Sequence, residues 1–420
     1  MDILKLAKEN ESLVISLRHY LHQHPELSGQ EFETLRFLRQ KLEAFGVPYV
    51  EVENGGILGF LGDEHRGRTV LLRADMDALP MQESPDNTKQ PKRCPISQVP
   101  GVAHTCGHDA HTAMLLTAAK ILREHEAELP GRVILCFERG EEGGNNLEFI
   151  LRYLEAEHIR VDACHALHVA PGLEAGKIAA LYGPTTAGNF SFDVTITGKG
   201  GHGSRPDLSN NPLDCFHAFY GGLQSIWMRD VSPCEPATLA ICKVQYGTTW
   251  NIIAPTLNFA GNGRVFSQET SGMAIRRRFL ELLDGTTRLY GCTYTINAMR
   301  GPSFGILNNK DCVDIARAGI RKNLGEDVLA EMPPEFASES MALMMRLYPG
   351  AYCMLGVKNE DMGITAIPHN PMFDIDESAL VTGVAAQLSF AAEFLARDLT
   401  PAFTPFPGTV EDLIRSIPMQ

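Results

Sequence analysis

The sequence predicts an α/β protein in which a larger mixed-sheet domain carries an inserted α+β domain. Short buried strands alternate with amphipathic helices over both ends of the chain, as a layered α/β sheet requires. Between residues 187 and 297 the order changes to β-α-β-β-α-β, which is typical of a ferredoxin-like domain. A chain of 420 residues is also too long for one core. We therefore expect residues 1–186 and 298–420 to form the main domain and 187–297 the insert.

The composition is that of an ordinary globular protein with an acidic surface. The formal net charge of -14 argues against nucleic acid or an anionic membrane as a partner, since both select for clustered Lys and Arg. The N-terminus lacks the apolar stretch of a signal peptide, and no run approaches ~20 apolar residues. The ten cysteines are scattered singly, which predicts reduced thiols and a cytoplasmic protein.

The first elements are two helices and a strand that ends in acids. Residues 11–45 have helical periodicity, which Pro25 interrupts because proline disfavours helical geometry in the residue before it. Residues 68–74 form an apolar run that delivers Asp75 and Asp77 at its carboxyl end, where ligands bind in open α/β sheets. A solvated turn is the alternative for these two carboxylates.

A thiol and three imidazoles then crowd into residues 104–111. Thiolate and imidazole suit a transition metal, and Gly107 removes the side chain that would keep Cys106 and His108 apart. The alternative is a buried structural cysteine with structural histidines. Residues 112–122 continue as a helix.

Two more strands end near potential ligands. Residues 132–137 lead to Glu141-Glu142-Gly143-Gly144, where one acid could hold an ion and the other move a proton, and where the glycines let the backbone come close. Solvated surface acids are the alternative. Residues 162–169 carry His165 and His168, and spacing does not decide between them.

The insert begins with strict alternation over 190–197, the pattern of a strand with one wet face. Asn211 and Pro212 predict a helix start, and strands at 238–244 and 257–260, a helix at 273–283 and a strand at 293–297 follow. The Gly-rich turn 198–206 presents His202, and its glycine spacing matches neither the dinucleotide-binding nor the nucleotide-triphosphate-binding pattern, so a phosphate-binding loop is rejected.

After the insert we expect a helix at 312–320 and a strand at 351–355. Pro368 and Pro371 hold His369 in a rigid turn, and Asp374 is the predicted N-cap of an apolar helix over 379–395. The Pro-rich residues 400–407 are predicted to form a surface tail.

Six short motifs in this order resemble the co-catalytic metallopeptidase and amidohydrolase family, which contains aminoacylases, hippurate hydrolase and auxin-conjugate hydrolases. The chain is most similar to the Cys-containing branch that acts on N-acyl amino acids. The match runs from residue 24 to about residue 395. The motifs are Arg73-Ala74-Asp75-Met76-Asp77-Ala78-Leu79-Pro80, Cys106-Gly107-His108-Asp109-Ala110-His111, Glu141-Glu142-Gly143-Gly144, Leu167-His168-Val169, Gly200-Gly201-His202 and His369-Asn370-Pro371.

The resemblance implies two divalent transition-metal ions per subunit, Mn or Zn, with Co and Ni also suited to such ligands. Glu141 matches the general base, which takes a proton from metal-bound water and later hands it to the leaving nitrogen. Asp77 matches the acid that orients the site from outside the ligand set. The implied ligands, with Cys106 as the bridge, are Cys106, His108, Glu142, His168 and His369.

The resemblance also implies that the insert is a lid and dimerisation domain. His202 matches a histidine that reaches across a dimer to the substrate's carbonyl or carboxylate. Asn251 and Arg264 match lid positions that hold the substrate's carboxylate, although Arg264 could equally be a surface salt-bridge residue. A homodimer or a higher homo-oligomer follows.

The chain departs from the family pattern at two places. Phe137-Glu138-Arg139-Gly140 replaces Phe-Gln-Pro-Ala, and we expect it to add charge beside the site and to alter substrate choice. Ser338-Glu339-Ser340 replaces Ser-Glu-Asp.

The implied reaction is hydrolysis of the amide bond of an N-acyl or N-aroyl amino acid, or of a short peptide. A dipeptidase or an aminobenzoyl-glutamate hydrolase would use the same residues with a different pocket. A non-catalytic binding homologue is disfavoured, because the positions of the base and of all five ligands hold competent residues.

Overall fold

The computed structural model describes residues 1–143 and 146–420, so Gly144 of the two-acid motif lies outside the described residues. The chain divides into two compact units. The first comprises residues 1–183, 307–333 and 343–411, and the second comprises residues 184–306, 334–342 and 412–420.

The helices and strands follow the predicted alternation, and most of them extend beyond the predicted bounds. The helices are α1 (Ile3–Glu9), α2 (Glu11–Gln23), α3 (Phe32–Phe45), α4 (His108–Glu124), α5 (Leu147–Ala156), α6 (Pro212–Arg229), α7 (Met273–Leu289), α8 (Lys310–Asn323), α9 (Met341–Leu347), α10 (Ala379–Ala396) and α11 (Val410–Arg415). The strands are β1 (Tyr49–Val52), β2 (Gly56–Gly62), β3 (Thr69–Asp75), β4 (Arg132–Glu138), β5 (Ala163–Glu174), β6 (Ile178–Ala179), β7 (Gly183–Pro184), β8 (Gly188–Thr197), β9 (Gly201–His202), β10 (Ala237–Tyr246), β11 (Ile252–Ile253), β12 (Thr256–Val265), β13 (Thr293–Arg300), β14 (Leu307–Asn308), β15 (Leu329–Ala330) and β16 (Gly350–Lys358).

The first unit is built on a mixed eight-stranded sheet in the order β1-β2-β4-β3-β5-β16-β6-β15. Strands β4, β3, β5 and β16 run parallel in its centre, and β1, β2 and β6 pair antiparallel. Every residue of β3 is buried, as its short apolar run predicts. Because β3, β4 and β5 are parallel neighbours, their carboxyl ends meet at one edge of the sheet.

Helices α4 and α10 pack against this sheet and against each other. Helix α10 is long and apolar enough to cross a membrane by length and composition, but 83% of it is buried inside the fold. Its all-round apolar surface is therefore that of a core helix.

The second unit contains a four-stranded antiparallel sheet in the order β10-β12-β8-β13, with α6 and α7 contributing to its core. This order and the β-α-β-β-α-β succession are those of the predicted ferredoxin-like domain. Asn211 caps α6 as predicted, since its side chain accepts the backbone N–H of Leu213 at 3.0 Å. Core phenylalanines such as Phe219, Phe259 and Phe279 contact one another across the helix and sheet layers.

The second unit extends beyond the predicted insert because distant segments join it through backbone hydrogen bonds. Gln420 and Met299 exchange N–H···O bonds of 2.8 and 2.9 Å, so the C-terminus lies alongside β13. The backbone N–H of Ala187 reaches the carbonyl of Ala337 at 2.9 Å. Pairings of this kind between segments far apart in sequence leave no local pattern.

Two local predictions need correction. Asp374 does not cap α10: the helix begins at Ala379, and Asp376 accepts the N–H groups of Ser378 and Ala379 at the turn before it. Helix α4 begins at His108 instead of Thr112, because Gly107 takes a left-handed conformation with φ +91° and starts the helix there.

The Pro-rich tail lies mostly on the surface, but it is hydrogen-bonded to the fold. The N–H of Ala402 donates to Asp311 at 2.8 Å, and the N–H of Phe406 donates to the carbonyl of Arg346 at 2.7 Å. All ten cysteines lie in the described residues and are free thiols.

Candidate metal centre

The five predicted metal ligands converge at the carboxyl edge of the central sheet. Their ligand atoms form overlapping groups in which all atoms lie within 4.8 Å of one another. Three of these groups consist only of predicted ligands and Glu141: Cys106 with His108 and His168, Cys106 with Glu142 and His369, and His108 with Glu141 and Glu142. Cys106 is shared by two groups, as a bridging thiolate would require.

Gly107 permits this convergence by its position as well as its φ. A Cβ atom there would lie 2.4 Å from Cγ2 of Val169, closer than real contacts allow. Because Gly107 has no Cβ, the loop with Cys106 and the first turn of α4 can lie directly against β5. Cys106 and His108 then face the same space as His168, which lies on β5 beside Val169.

His108 and His168 each have Nδ1 hydrogen-bonded to an oxygen, and Nε2 of each ring faces the other predicted ligands. Nδ1 of His108 donates to Oδ1 of Asp77 at 3.0 Å, and Nδ1 of His168 donates to the carbonyl of Val169 at 2.8 Å. Nε2 of His168 lies 3.7 Å from Sγ of Cys106. These bonds assign the tautomer that leaves each Nε2 lone pair for a metal.

The donor set fits a transition-metal ion. Nε2 of His108 is buried without a hydrogen-bond partner among the described residues, an arrangement that costs free energy unless an ion binds there. Burial lowers the pKa of His108, but the charges of Asp75 and Cys106 outweigh it and raise that pKa well above its ordinary value. The same field favours a bound cation. Thiolate, imidazole and carboxylate together are borderline ligands suited to Zn, Mn, Co or Ni.

Asp77 hydrogen-bonds to two of the predicted ligands at once. While Oδ1 binds His108, Oδ2 accepts the backbone N–H of Glu142 at 2.9 Å. The carboxylate is buried, which by itself would raise its pKa, but the hydrogen bond and charge of His108 keep the pKa below its ordinary value. Asp77 therefore lies behind the ligands as an ionised acceptor.

His369 is held in an uncommon backbone conformation. Its φ is 59°, in the left-handed region that non-glycine residues rarely adopt, and its N–H donates to the carbonyl of Thr105 at 2.9 Å. Nε2 lies 3.1 Å from Oε1 of Glu142. Strain of this kind persists where the surrounding structure determines it, often at functional sites.

Asp75, at the carboxyl end of β3, forms a buried pair with His111, which is not among the implied ligands. Their ligand atoms also group with His108 within 4.8 Å. However, Nδ1 of His111 bonds to Oδ1 of Asp75 at 2.6 Å, and Nε2 accepts the N–H of Val169 at 2.9 Å. With both nitrogens occupied, His111 links α4, β3 and β5 and leaves no lone pair for a metal. The signal was its i+3 spacing from His108 on one helix face.

His165 is resolved as a core residue. It points to the opposite side of β5 from His168, its ring stacks on Phe390 with centroids 4.6 Å apart, and burial lowers its pKa to about 3. The choice between the two histidines, which spacing left open, is thus made by the packing of α10.

The charged departure from the family motif is compensated inside the first unit. Glu138 is buried and accepts from Arg73 at 2.7 Å, and Arg139 donates to Glu31 at 2.9 Å. Glu31 also accepts the backbone N–H of Gly140 at 2.8 Å. The two charges that were expected beside the site are therefore paired, and their ion pairs fix the strand end before Glu141.

A buried charged network supports the start of α4. Asp109 accepts from Arg18 at 3.0 Å and from His22 at 2.8 Å. His22 also bonds to Glu83 at 2.9 Å, and Glu83 accepts from Lys92 at 2.8 Å. This chain of ion pairs anchors the residue next to His108 to helix α2.

The remaining candidates lie in the second unit. His202 is exposed on β9, which pairs with β11, and the N–H of Gly203 donates to the carbonyl of Asn251 at 2.9 Å. Nδ1 of His202 accepts from the backbone N–H of Ser204 at 3.1 Å, so in the neutral ring the proton lies on Nε2. Arg264 donates to the carbonyl of Phe336 at 2.9 Å and to the side chain of Asn189.

Comparison with known proteins agrees with this geometry. The model of peptidase family M20/M25/M40 matches residues 71–393. "IAA-amino acid hydrolase ILR1-like 4" of Arabidopsis thaliana is 34% identical, covering 93% of this chain and 88% of that protein. "N-acetyl-L-cysteine deacetylase" of Bacillus subtilis is 30% identical, covering 90% and 89%. The solved Bacillus subtilis YXEP protein, described as a dinuclear metal binding peptidase, is 27% identical with a TM-score of 0.76, covering 92% of this chain and 99% of that one.

Proposed function

From the chain's membership of peptidase family M20/M25/M40, to which it belongs as an amidohydrolase or peptidase, we propose that it hydrolyses the amide bond of N-acyl or N-aroyl amino acids. The observation that carries the proposal is the convergence of five ligand side chains around Cys106. Two divalent transition-metal ions, Mn or Zn, would be held by Cys106, His108, Glu142, His168 and His369.

When bound, the metal ions would lower the pKa of water and polarise the scissile carbonyl. Glu141 is the proposed general base. Its carboxylate oxygen lies within 4.8 Å of ligand atoms of His108 and Glu142, but Glu141 is not one of the five proposed ligands. It accepts the proton of the attacking water and donates it to the leaving nitrogen. Asp77 keeps His108 in the ligating tautomer.

In the second unit, His202 is the proposed donor to the substrate's carbonyl or carboxylate. Its Nδ1 is occupied by Ser204, so its Nε2–H is available to an oxygen. Asn251 lies beside it and is proposed to bind the substrate's carboxylate. Arg264 is proposed to share this role through the guanidinium N–H groups that do not bind Phe336 or Asn189.

The names of two relatives support the proposed substrate class. One relative is named for an IAA-amino acid conjugate and another for an N-acetyl amino acid. The alternative activity is that of a dipeptidase or an aminobenzoyl-glutamate-type hydrolase. We also propose a cytoplasmic location.

The test is a substrate panel with metal reconstitution. The purified protein is analysed for metal, stripped with a chelator, reloaded with Mn, Zn, Co or Ni, and assayed with N-acetyl, N-benzoyl and indole-acetyl amino acids, with dipeptides, and with aminobenzoyl-glutamate. We expect chelation to abolish activity and the N-acyl amino acids to give the highest kcat/KM. Preference for dipeptides or for aminobenzoyl-glutamate would favour the alternative, and full activity of the stripped enzyme would refute the metal site.

Two cysteine variants distinguish a metal ligand from a buried thiol that binds no metal. Cys106→Ala should lower the metal content, whereas Cys136→Ala, at a buried thiol on β4 outside the ligand groups, should leave it unchanged. Equal metal content in both variants would contradict the role of Cys106.

We further propose that His202 acts in trans in a dimer. Glu141→Gln and His202→Ala should each be nearly inactive. Mixed dimers pair an intact Glu141 site with an intact His202 from the other chain, so co-expression should restore part of the activity. Mixed dimers that stay as inactive as both parents would show that His202 acts within its own chain or not at all.

A further inference from the structure

We propose that His19, Cys94 and Glu377 form an additional divalent-cation site, zinc by its chemistry, that is separate from the catalytic ligand set. The three side chains, which we call the outer cluster, belong to the first unit and share no residue with the catalytic groups. His19 lies on α2, Cys94 lies between β3 and α4, and Glu377 precedes α10.

The geometry of the outer cluster is close to that of a metal site. One nitrogen, one sulfur and one carboxylate oxygen lie within 4.8 Å of one another, and Nε2 of His19 lies 2.8 Å from Oε1 of Glu377. Ligand atoms around tetrahedral zinc, at about 2.0–2.3 Å from the ion, are separated by roughly 3.3–3.8 Å. Rotamer adjustments of about an ångström therefore suffice to close the site.

The local charge favours a cation. Arg18 donates to Glu377 at 2.8 Å and to Asp109 at 3.0 Å, so it already holds the carboxylate of the cluster in place. Among the charges that act most strongly on the Cys94 thiol, three are the carboxylates of Asp109, Glu377 and Asp374, and one is the cation of Arg18. The excess of negative charge offsets the repulsion between Arg18 and an incoming ion.

Cys94 is buried, whereas His19 and Glu377 are partly exposed, which suits entry of an ion from the solvent. Cys94 is 4% exposed, whereas the side chains of His19 and Glu377 are 30% and 20% exposed. An ion can therefore enter from the solvent side and keep a water as its fourth ligand. Burial raises the pKa of Cys94 to about 12, so the thiol is protonated until a metal ion displaces the proton to solvent.

Occupation of the outer cluster would link three distant segments. The loop that carries Cys94 also leads to Cys106 and His108, so an ion there would fix this loop against α2 and against the turn before α10. The predicted consequence is a higher unfolding temperature with zinc even when the catalytic ligands are disabled, because an ion that binds only the folded chain stabilises it.

The test uses cobalt as a spectroscopic probe in a chain without the catalytic thiol. Metal-free Cys106→Ala is titrated with Co²⁺, and we expect the intense near-ultraviolet band of a thiolate–cobalt bond to saturate at one ion per chain. The band should vanish in Cys106→Ala/Cys94→Ala. It should remain in the matched control Cys106→Ala/Cys353→Ala, which removes another buried thiol.

Absence of the band from folded Cys106→Ala, or its persistence without Cys94, would overturn the proposal. A second measurement avoids the Cys106 background. His19→Ala in the otherwise unchanged chain should bind one zinc ion fewer than the parent, whereas His65→Ala, at a histidine whose side chain is 86% exposed, should bind the same number. Equal zinc content of parent, His19→Ala and His65→Ala would also refute the outer cluster.

Discussion

Replacing Asp77 by Asn should weaken metal binding without unfolding the protein. The carboxylate accepts hydrogen bonds from Nδ1 of His108 and from the N–H of Glu142, at 3.0 and 2.9 Å. Asn is isosteric but has only one acceptor oxygen, so its NH₂ group must face one of these two donors. If it faces His108, the ring proton moves to Nε2 and blocks the ligand atom; if it faces the N–H of Glu142, two donors oppose each other.

The magnitude follows from either arrangement. Loss of a hydrogen bond to a charged acceptor costs about 1.5–3 kcal/mol. Removal of the group that orients a metal ligand lowers metal affinity by about 10–100-fold, which is about 1.4–2.8 kcal/mol. Since Asp77 touches two ligands, we expect the upper part of this range for the ion held by His108.

The assay is competition for metal between the apoprotein and a chromogenic chelator. Asp162→Asn is the matched control, because Asp162 accepts the backbone N–H of Thr69 at 2.8 Å at the other end of β3 and touches no ligand. Asp162→Asn should bind metal like the parent. An Asp77→Asn protein that is folded by circular dichroism and has the parent's metal affinity would refute the reasoning.

Glu141→Gln should lower kcat by at least about 10²-fold with the metal content unchanged, whereas Glu142→Gln should lose metal as well; the reverse pattern in metal analysis would exchange the two roles. Gly107→Ala should destabilise the fold and the metal site, because the new Cβ would lie 2.4 Å from Val169 at a φ of +91°; thermal unfolding checks this against Gly101→Ala, where φ is also positive but no atom lies within 4 Å. Burial raises the pKa of Glu83, but the hydrogen bonds and charges of His22 and Lys92 lower it to about 2. The ionised Glu83 therefore stabilises the folded chain fully above pH 4.5, and this contribution is lost as the pH falls towards 2. Glu83→Gln should therefore lower the free energy of unfolding by up to about 3 kcal/mol at neutral pH. Urea titrations measure this free energy for the parent and the variant, and a difference between them that does not decrease from pH 4.5 to pH 2 would contradict the lowered pKa of Glu83.

Most of the fold was predictable because its signals are local. The short apolar run of β3 and the Asn211-Pro212 start of α6 each depend on a few adjacent residues, and the structure confirms both. The predicted cap of α10 was wrong because the helix begins at Ala379, five residues after Asp374, and its N-cap is Ser378, whose side chain makes no capping bond.

The candidate site divides in the same way. Motif order indicated the ligand positions, but the choice of His168 over His165 needed the position of Phe390, and the compensation of Arg139 needed Glu31, which is 108 residues away in sequence. The role of His111 required both of its partners, Asp75 and the N–H of Val169, to be known. Contacts of this kind arise from tertiary packing and have no counterpart in a linear pattern.

The position of β16 in the centre of the first unit's sheet has a consequence for biosynthesis. This strand pairs with β5, and residues 184–306 and 334–342 of the second unit lie between the two in sequence. A nascent chain therefore exposes the open edge of β5 until residues 350–358 have been made, and His369 follows later still. Such non-local closure is slow to form, so we expect metal acquisition to occur only after most of the chain has left the ribosome, and expect chains stalled before residue 350 to be targets for chaperones and proteases.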